Sequence, residues 1–432
     1  MSERVFITGM GVLCSLARSI DELSAALQAG RSGIGRSVTR DANRDDRIEA
    51  AIGELSFPGL LAGLPGLGDP LRERARRAAR RAPLHVQATV LAALQAWVDS
   101  QLERASVAGE AVSIVATSAG GMQGYHHDAF IKYQAEPDYL WPRYALHGLA
   151  TDPVATISEV LAIRGEGMTV SGASASGNVA IIKAARLIEH GLAEVCLVLG
   201  TPTFLSPVAW QAFRAVGALG GKRFGEQPDR ACRPFDRDHE GFIPGQGAGC
   251  VILESQASVE RRGVKPTAQL IEYLGGAICL DGNRQADPSE EGEARAMQQC
   301  LVRAGLAPSD VDYINTHGTS SPLGDHTEIR ALKHIFGDEA RRIWLNSSKS
   351  LIGHCLFSAG VLEAIMCAVQ MRGEFAHPNL NLLAPIADGV RWCGPAAQPA
   401  HIDVALSNSF GFGGLSTAIL LARPTRPGRR TR

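Results

Sequence analysis

The chain has 432 residues, 45% hydrophobic and 20% charged, with a formal net charge of −1. That length allows two or three domains, or one large α/β unit, and a sizeable buried core. Near-zero charge gives no support for a nucleic-acid or anionic-membrane partner, and nine scattered cysteines without a C-x-x-C pair argue against a disulfide framework or zinc site and for a reducing cytoplasm.

The N-terminal MSERVFITGMG has no basic start followed by a long apolar run, so no signal peptide is expected. No stretch is read as reaching the roughly 18 apolar residues that cross a bilayer. VFITGMGVLCSL predicts a strand, a glycine turn and a helix over Ile20–Gly30. Its G-M-G-V-L-C resembles the start of a dinucleotide fingerprint, but the third glycine and the distal acidic residue are missing, so a tight turn is the simpler reading. Arg31–Gly68, rich in Gly, Asp and Arg, reads as a surface insertion. The basic run RERARRAARR (Arg72–Arg81) reads as a solvated helix face, with a landing site for an acidic partner as the alternative. Ala79–Leu102 predicts one long amphipathic helix, with Leu84, Val90, Leu91, Leu94 and Trp97 at helical spacing.

Ala111–Gly121 predicts a buried strand entering a glycine turn. A loop-rich region holding Tyr133, Trp141 and Tyr144 follows, then a helix over Asp152–Leu161. MTVSGAS predicts a strand feeding a helix over Ala175–His190; EVCLVLGTPTF and Gly247–Ser255 predict two more strands. After Arg262-Gly263 the pattern restarts. TAQLIEYLGGAI is a strand, Gly292–Ala304 a helix, DVDYINTHGT a strand ending in a loop, and WLNSSKSLIGH a strand and loop. A helix over Ser358–Met371 and a strand–glycine loop–strand in VALSNSFGFGGLSTAILLAR complete the pattern. Alternating strands and helices predict layered α/β architecture. GFIPGQGAGCVILES and SFGFGGLSTAILLAR are each a glycine-rich loop feeding an apolar strand, which suggests a duplicated unit around one cleft. The tail PTRPGRRTR is expected to be disordered.

Four stretches carry chemistry. Gly172–Gly177 (GASASG) turns a strand sharply into a helix whose first N–H groups face the corner. A thiol there would ionise readily; the hydroxyl of Ser174 would need a base to attack a thioester. Asn315–Asp325 (NTHGTSSPLGD) puts His317 at a strand end before a run of hydroxyls suited to the amides of a ligand arm. Asn346–His354 (NSSKSLIGH) places Lys349 and His354 before an apolar helix; a surface lysine and a capping histidine are the plain alternative. Ser407–Gly414 (SNSFGFGG) offers backbone N–H groups to an anion, or is merely a turn.

In this order, and with RPFDRDHEGFIPGQGAG at Arg233–Gly249, these motifs resemble the β-ketoacyl-ACP synthases of the thiolase fold over nearly the whole chain. The resemblance implies duplicated half-domains in five layers (αβαβα): residues 1–262 with the nucleophile corner, 263–424 with both histidines, and the tail 425–432. It matches the family's histidines to His317 and His354, its lysine to Lys349 and its gating phenylalanine to Phe410. Thr319 and Ser321 would bind pantetheine, and the loop with Gly411 and Gly413, with the N–H groups of Ser174 and Phe410, would form an oxyanion site. The family's nucleophilic cysteine falls on Ser174, which puts chain elongation in doubt.

Decarboxylation of malonyl-ACP needs no thiolate, only a holder for the developing enolate oxygen, and both imidazoles are retained. Ser174 would then keep the pocket polar and position the departing carboxylate or the protonating water. The chain looks most like the serine-variant ketosynthases of polyketide β-branching cassettes. That implies a cytoplasmic malonyl-ACP decarboxylase making acetyl-ACP, which binds no cofactor itself. Phosphopantetheine would arrive on the acyl carrier protein, and HMG-CoA-synthase-like and enoyl-CoA-hydratase-like enzymes would be pathway neighbours. A homodimer is expected, with no nucleic acid, membrane or metal. An acyltransferase or ketosynthase acylated on Ser174, and a non-catalytic chain-length-factor-like subunit, remain the alternatives.

Overall fold

A computed structural model describes residues 3–37, 47–105, 107–117, 122–264, 270–282 and 286–424. The expected tail lies outside these residues, as does the glycine turn after Thr117. Ten principal strands are β1 Val5–Cys14, β2 Val112–Thr117, β3 Gly167–Val170, β4 Val195–Gly200, β5 Gly247–Ser255, β6 Ile271–Leu280, β7 Tyr313–Asn315, β8 Trp344–Asn346, β9 Val404–Gly411 and β10 Leu415–Ala422. The first five pair in the order β1-β5-β4-β2-β3, and the second five in the matching order β6-β10-β9-β7-β8. In each set the first three strands of that order run antiparallel to their neighbours and the last three run parallel. Short antiparallel pairing of Val5–Ile7 with Ile271–Tyr273 joins the sets.

Strands buried on both faces send alternate residues into different cores. Val198, Val251 and Ile419 face a central core, while Leu197 and Ile252 face one outer core and Leu420 the other. Helices α3 (Ser176–Glu189) and α6 (Ala359–Gly373) fill the centre. Helices α1 (Leu84–Asp99) and α2 (Asp152–Leu161) cover the first outer face, and α4 (Glu290–Ala304) and α5 (Pro322–Phe336) the second. The result is the thiolase-type αβαβα layering.

The strand β5 and helix α2 have the bounds read from the sequence. Other readings are corrected. The GMG sequence is no turn: β1 runs straight through it with a bulge near Gly9. Its glycines admit α1, since a Cβ on Gly11 would stand 2.0 Å from the Ala92 carbonyl oxygen. Ala79–Leu102 is not one helix; Pro83, which caps α1, separates it from a helix over Asp69–Ala79, and Leu84 is exposed. The presumed surface insertion instead buries Ile48, Ile52, Phe57 and Leu61, with a short helix at Phe57–Gly63; its elements are too short to give a period. The region of Tyr133 contains a helix over Gln123–Ala135. Within the basic run Arg72 binds the carbonyls of Ala62 and Leu67, while Arg74, Arg77 and Arg81 are solvated. Among the described residues one helix, Leu356–Gly373, is long and apolar enough by composition to cross a membrane, with 18 residues at mean hydropathy 1.2. It owes that composition to its place in the central core between the two strand sets, where 83% of the segment is buried.

Candidate active site

The two central helices bring their N-termini together. Gly177 of α3 and Gly360 of α6 meet so closely that a Cβ on Gly177 would lie 2.5 Å from the Val361 nitrogen. This crossing sets the corner before α3 beside the loop before α6. At the corner Ala173 adopts φ +49°, a conformation unfavourable for a β-carbon, held by the Ser176 hydroxyl donating to the Ala173 carbonyl at 2.6 Å. Ser409 of β9 donates to the Ser174 carbonyl at 3.0 Å. Gly411 must be glycine, because a Cβ there would stand 2.4 Å from the Gly172 carbonyl oxygen. The strained turn is thus clamped from its own helix and from β9.

His354 Nε2 lies 2.8 Å from Ser174 Oγ. The Leu356 backbone N–H donates to His354 Nδ1 at 3.3 Å, so the neutral ring carries its proton on Nε2 and is the donor toward Ser174. The His317 ring stands 5.6 Å from that of His354, centroid to centroid, and 5.4 Å from Phe410. The buried Nδ1 of His317 has no hydrogen-bond partner among the described residues. Burial, and then the charge of Lys349, holds both imidazoles well below the usual histidine range. Both rings are therefore neutral donors near pH 7.

Lys349 is no surface lysine: it is fully buried and its ammonium donates to Glu363 of α6. The Thr319 and Ser321 hydroxyls pair at 2.9 Å and line the same cavity of about 410 Å³ as Ser174, His317, His354, Phe410 and Gly411. Gly413 is not on that wall; it turns the β9–β10 hairpin with φ +87°.

Sequence reasoning missed four supporting residues. Glu328 accepts the backbone N–H groups of His317 and Gly318, each at 2.7 Å, and the Asn408 side-chain amide at 3.2 Å. Burial pushes its carboxyl up to about 7 against those hydrogen bonds. Asp325 accepts from the Phe235 backbone at 2.7 Å and the Ser320 backbone at 3.1 Å, latching the RPFD stretch to the His317 loop. Phe242 packs edge-on to His354 at 5.3 Å, and Glu363 balances Lys349. The available signal was three acidic residues at positions where an exposed face was not required: two on α5 and one inside the apolar α6.

The site sits within a recognisable lineage. Residues 2–258 match the N-terminal domain of β-ketoacyl synthases, and residues 271–383 match the C-terminal domain. The chain belongs to the β-ketoacyl synthase family. It is 34% identical to the polyketide biosynthesis malonyl-ACP decarboxylase PksF of Bacillus subtilis (strain 168), over 96% of each chain. It is 32% identical to 3-oxoacyl-[acyl-carrier-protein] synthase 2 of Coxiella burnetii, over 97% of this chain and 98% of that one. The solved ishigamide ketosynthase/chain length factor superposes with a TM-score of 0.85 at 26% identity, covering 98% of this chain and 99% of its own.

Proposed function

We propose that this protein decarboxylates malonyl-ACP to acetyl-ACP and forms no carbon–carbon bond. The carrying observation is the Leu356 N–H directed at His354 Nδ1, which assigns the ring's proton to Nε2. With Nδ1 engaged by Leu356 N–H, Nε2 donates to Ser174 rather than accepting its proton. Ser174 therefore has a donor where a nucleophilic serine needs a base. The same Nε2–H suits a thioester oxygen as negative charge develops on it, and His317 supplies the second donor. Such bonds are strongest in a dry cavity with prepositioned groups.

In this reading Thr319 and Ser321 hydrogen-bond the pantetheine arm, Lys349 keeps the imidazoles neutral and their loop in place, and Phe410 gates the cavity. The N–H groups of Ser174, at the corner before α3, and of Phe410, beside Gly411, form a further oxyanion site, and the Ser174 hydroxyl steadies the departing carboxylate. The similarity to the Bacillus subtilis malonyl-ACP decarboxylase supports the substrate, an acyl carrier protein partner and a place in polyketide biosynthesis; a β-branching role beside an HMG-CoA-synthase-like enzyme rests on the motif resemblance alone. Purified protein given malonyl-ACP is expected to yield acetyl-ACP by mass spectrometry while its own mass stays unchanged. An acyl adduct on Ser174 would instead make the protein an acyltransferase. Absence of acetyl-ACP would remove the decarboxylase reading altogether.

A further inference from the structure

Decarboxylation leaves a carbanion equivalent that must gain a proton, and the groups so far assigned are poor sources. Neutral His317 and His354 would have to become imidazolates. An aliphatic hydroxyl such as Ser174 is a weak acid. Lys349 is bound in its ion pair with Glu363. Among the carboxyls on the cavity wall, Asp325 and Glu328 have their oxygens occupied by backbone and side-chain donors.

Glu293 differs from these. It stands in the first turn of α4, lines the same cavity as His317 and Phe410, and is 2% exposed. Its Oε2 has no hydrogen-bond partner among the described residues. A buried carboxylate without a donor is costly, so such a group is kept as the acid. We propose that Glu293 is the proton donor that quenches the enolate of the acetyl thioester. Burial, with Glu328, Asp325 and Glu290 adding like charge against the partial relief of Arg330, holds the carboxyl well above its ordinary range.

The inference rests on the decarboxylase reading. The bond from C2 to the carboxylate breaks, its electron pair enters the enolate, and carbon dioxide leaves. The enolate pair then takes the Glu293 proton, making the third C–H bond of the acetyl group. Glu293 is left as a carboxylate and regains a proton from water.

The test compares parent, E293Q and E293A for acetyl-ACP formation and for exchange of acetyl-ACP methyl hydrogens in deuterated water, the reverse of the quenching step. E293Q is expected to lose about 10²–10⁴-fold in kcat with KM little changed, and to lose methyl exchange. Its thermal midpoint should be at least that of the parent, since a lone buried acid among carboxyls is removed. E293A should regain turnover when formic acid is added, which a misfolded variant would not. Parent-like turnover and exchange in E293Q overturn the assignment while leaving the decarboxylase reading intact. A parent that makes no acetyl-ACP overturns both.

Discussion

Replacing His354 by alanine separates the two roles open to the Ser174–His354 pair. If Nε2–H serves the enolate oxygen, H354A removes one of two oxyanion donors. Loss of one such donor typically costs about 3–4 kcal/mol, or 10²–10³ in kcat. Ser174→Ala should behave quite differently. In the resting site Nε2–H donates to Ser174 Oγ at 2.8 Å, and that bond, worth about 0.5–1.5 kcal/mol net, must give way when the thioester oxygen arrives. Its removal in S174A offsets the loss of a polar neighbour, so kcat should stay within about tenfold of the parent, under ~1.4 kcal/mol of barrier. The assay is acetyl-ACP formation from malonyl-ACP at pH 7 by mass spectrometry, with kcat and KM resolved and folding checked by thermal melting. S174A as inactive as H354A would refute the donor argument and return Ser174 to a covalent role. So would an H354A enzyme retaining near-parent kcat.

Lys349→Met should cost about 3–5 kcal/mol of stability, because it strands Glu363 in the core; a denaturant midpoint equal to the parent's would show that the pair contributes little. Gly411→Ala forces a β-carbon to within 2.4 Å of the Gly172 carbonyl, so it should displace the corner and lower both melting temperature and kcat, measured side by side. Stability should also fall in acid. His85 and His377 are pulled from 6.5 to about 4 chiefly by burial, so each contributes stability that is complete above 6.5 and lost as pH drops toward 4, on the order of 3 kcal/mol per ring. Urea midpoints across that window should decline, and H85L should flatten the slope.

How legible each part was depended on whether its cause is local. Helix α2 announces its start with Asp152-Pro153 and its buried face with Val154, Ile157, Val160 and Leu161. Strand β5 alternates between two apolar cores and is bounded by a glycine loop and Ser255, which caps the next helix. The histidines, the serine and the hydroxyl run stood out because polar residues at the ends of buried strands have few structural reasons to be there. Gly9 and Gly11 misled because their reason is a helix backbone some 80 residues away, from Ala92 to Ser100. Lys349 reads as a surface residue until α6, 14 positions on, supplies Glu363. Asp325 and Glu328 both face inward from α5, and Glu293 faces inward from the same helix turn as the exposed Glu291, a distinction that composition cannot make.

The thiolase-type corner explains how a single atom can remove half of a reaction without disturbing the other half. A cysteine at position 174 would need no base: the N-terminus of α3 and a neighbouring donor lower a thiol's pKa enough to populate the thiolate. The same surroundings leave an aliphatic hydroxyl protonated, and His354 cannot help because Leu356 N–H occupies the nitrogen that would have to remain free for tautomer exchange. On the proposed reading, acylation is thereby lost at the level of proton inventory. On the same reading the enolate-forming half depends on His317, His354 and the buried Lys349–Glu363 pair, which follow β7 and β8 or lie on α6 and so do not depend on residue 174. Serine also keeps Nε2–H occupied in the empty site at little cost, whereas alanine would leave a buried donor unpaired.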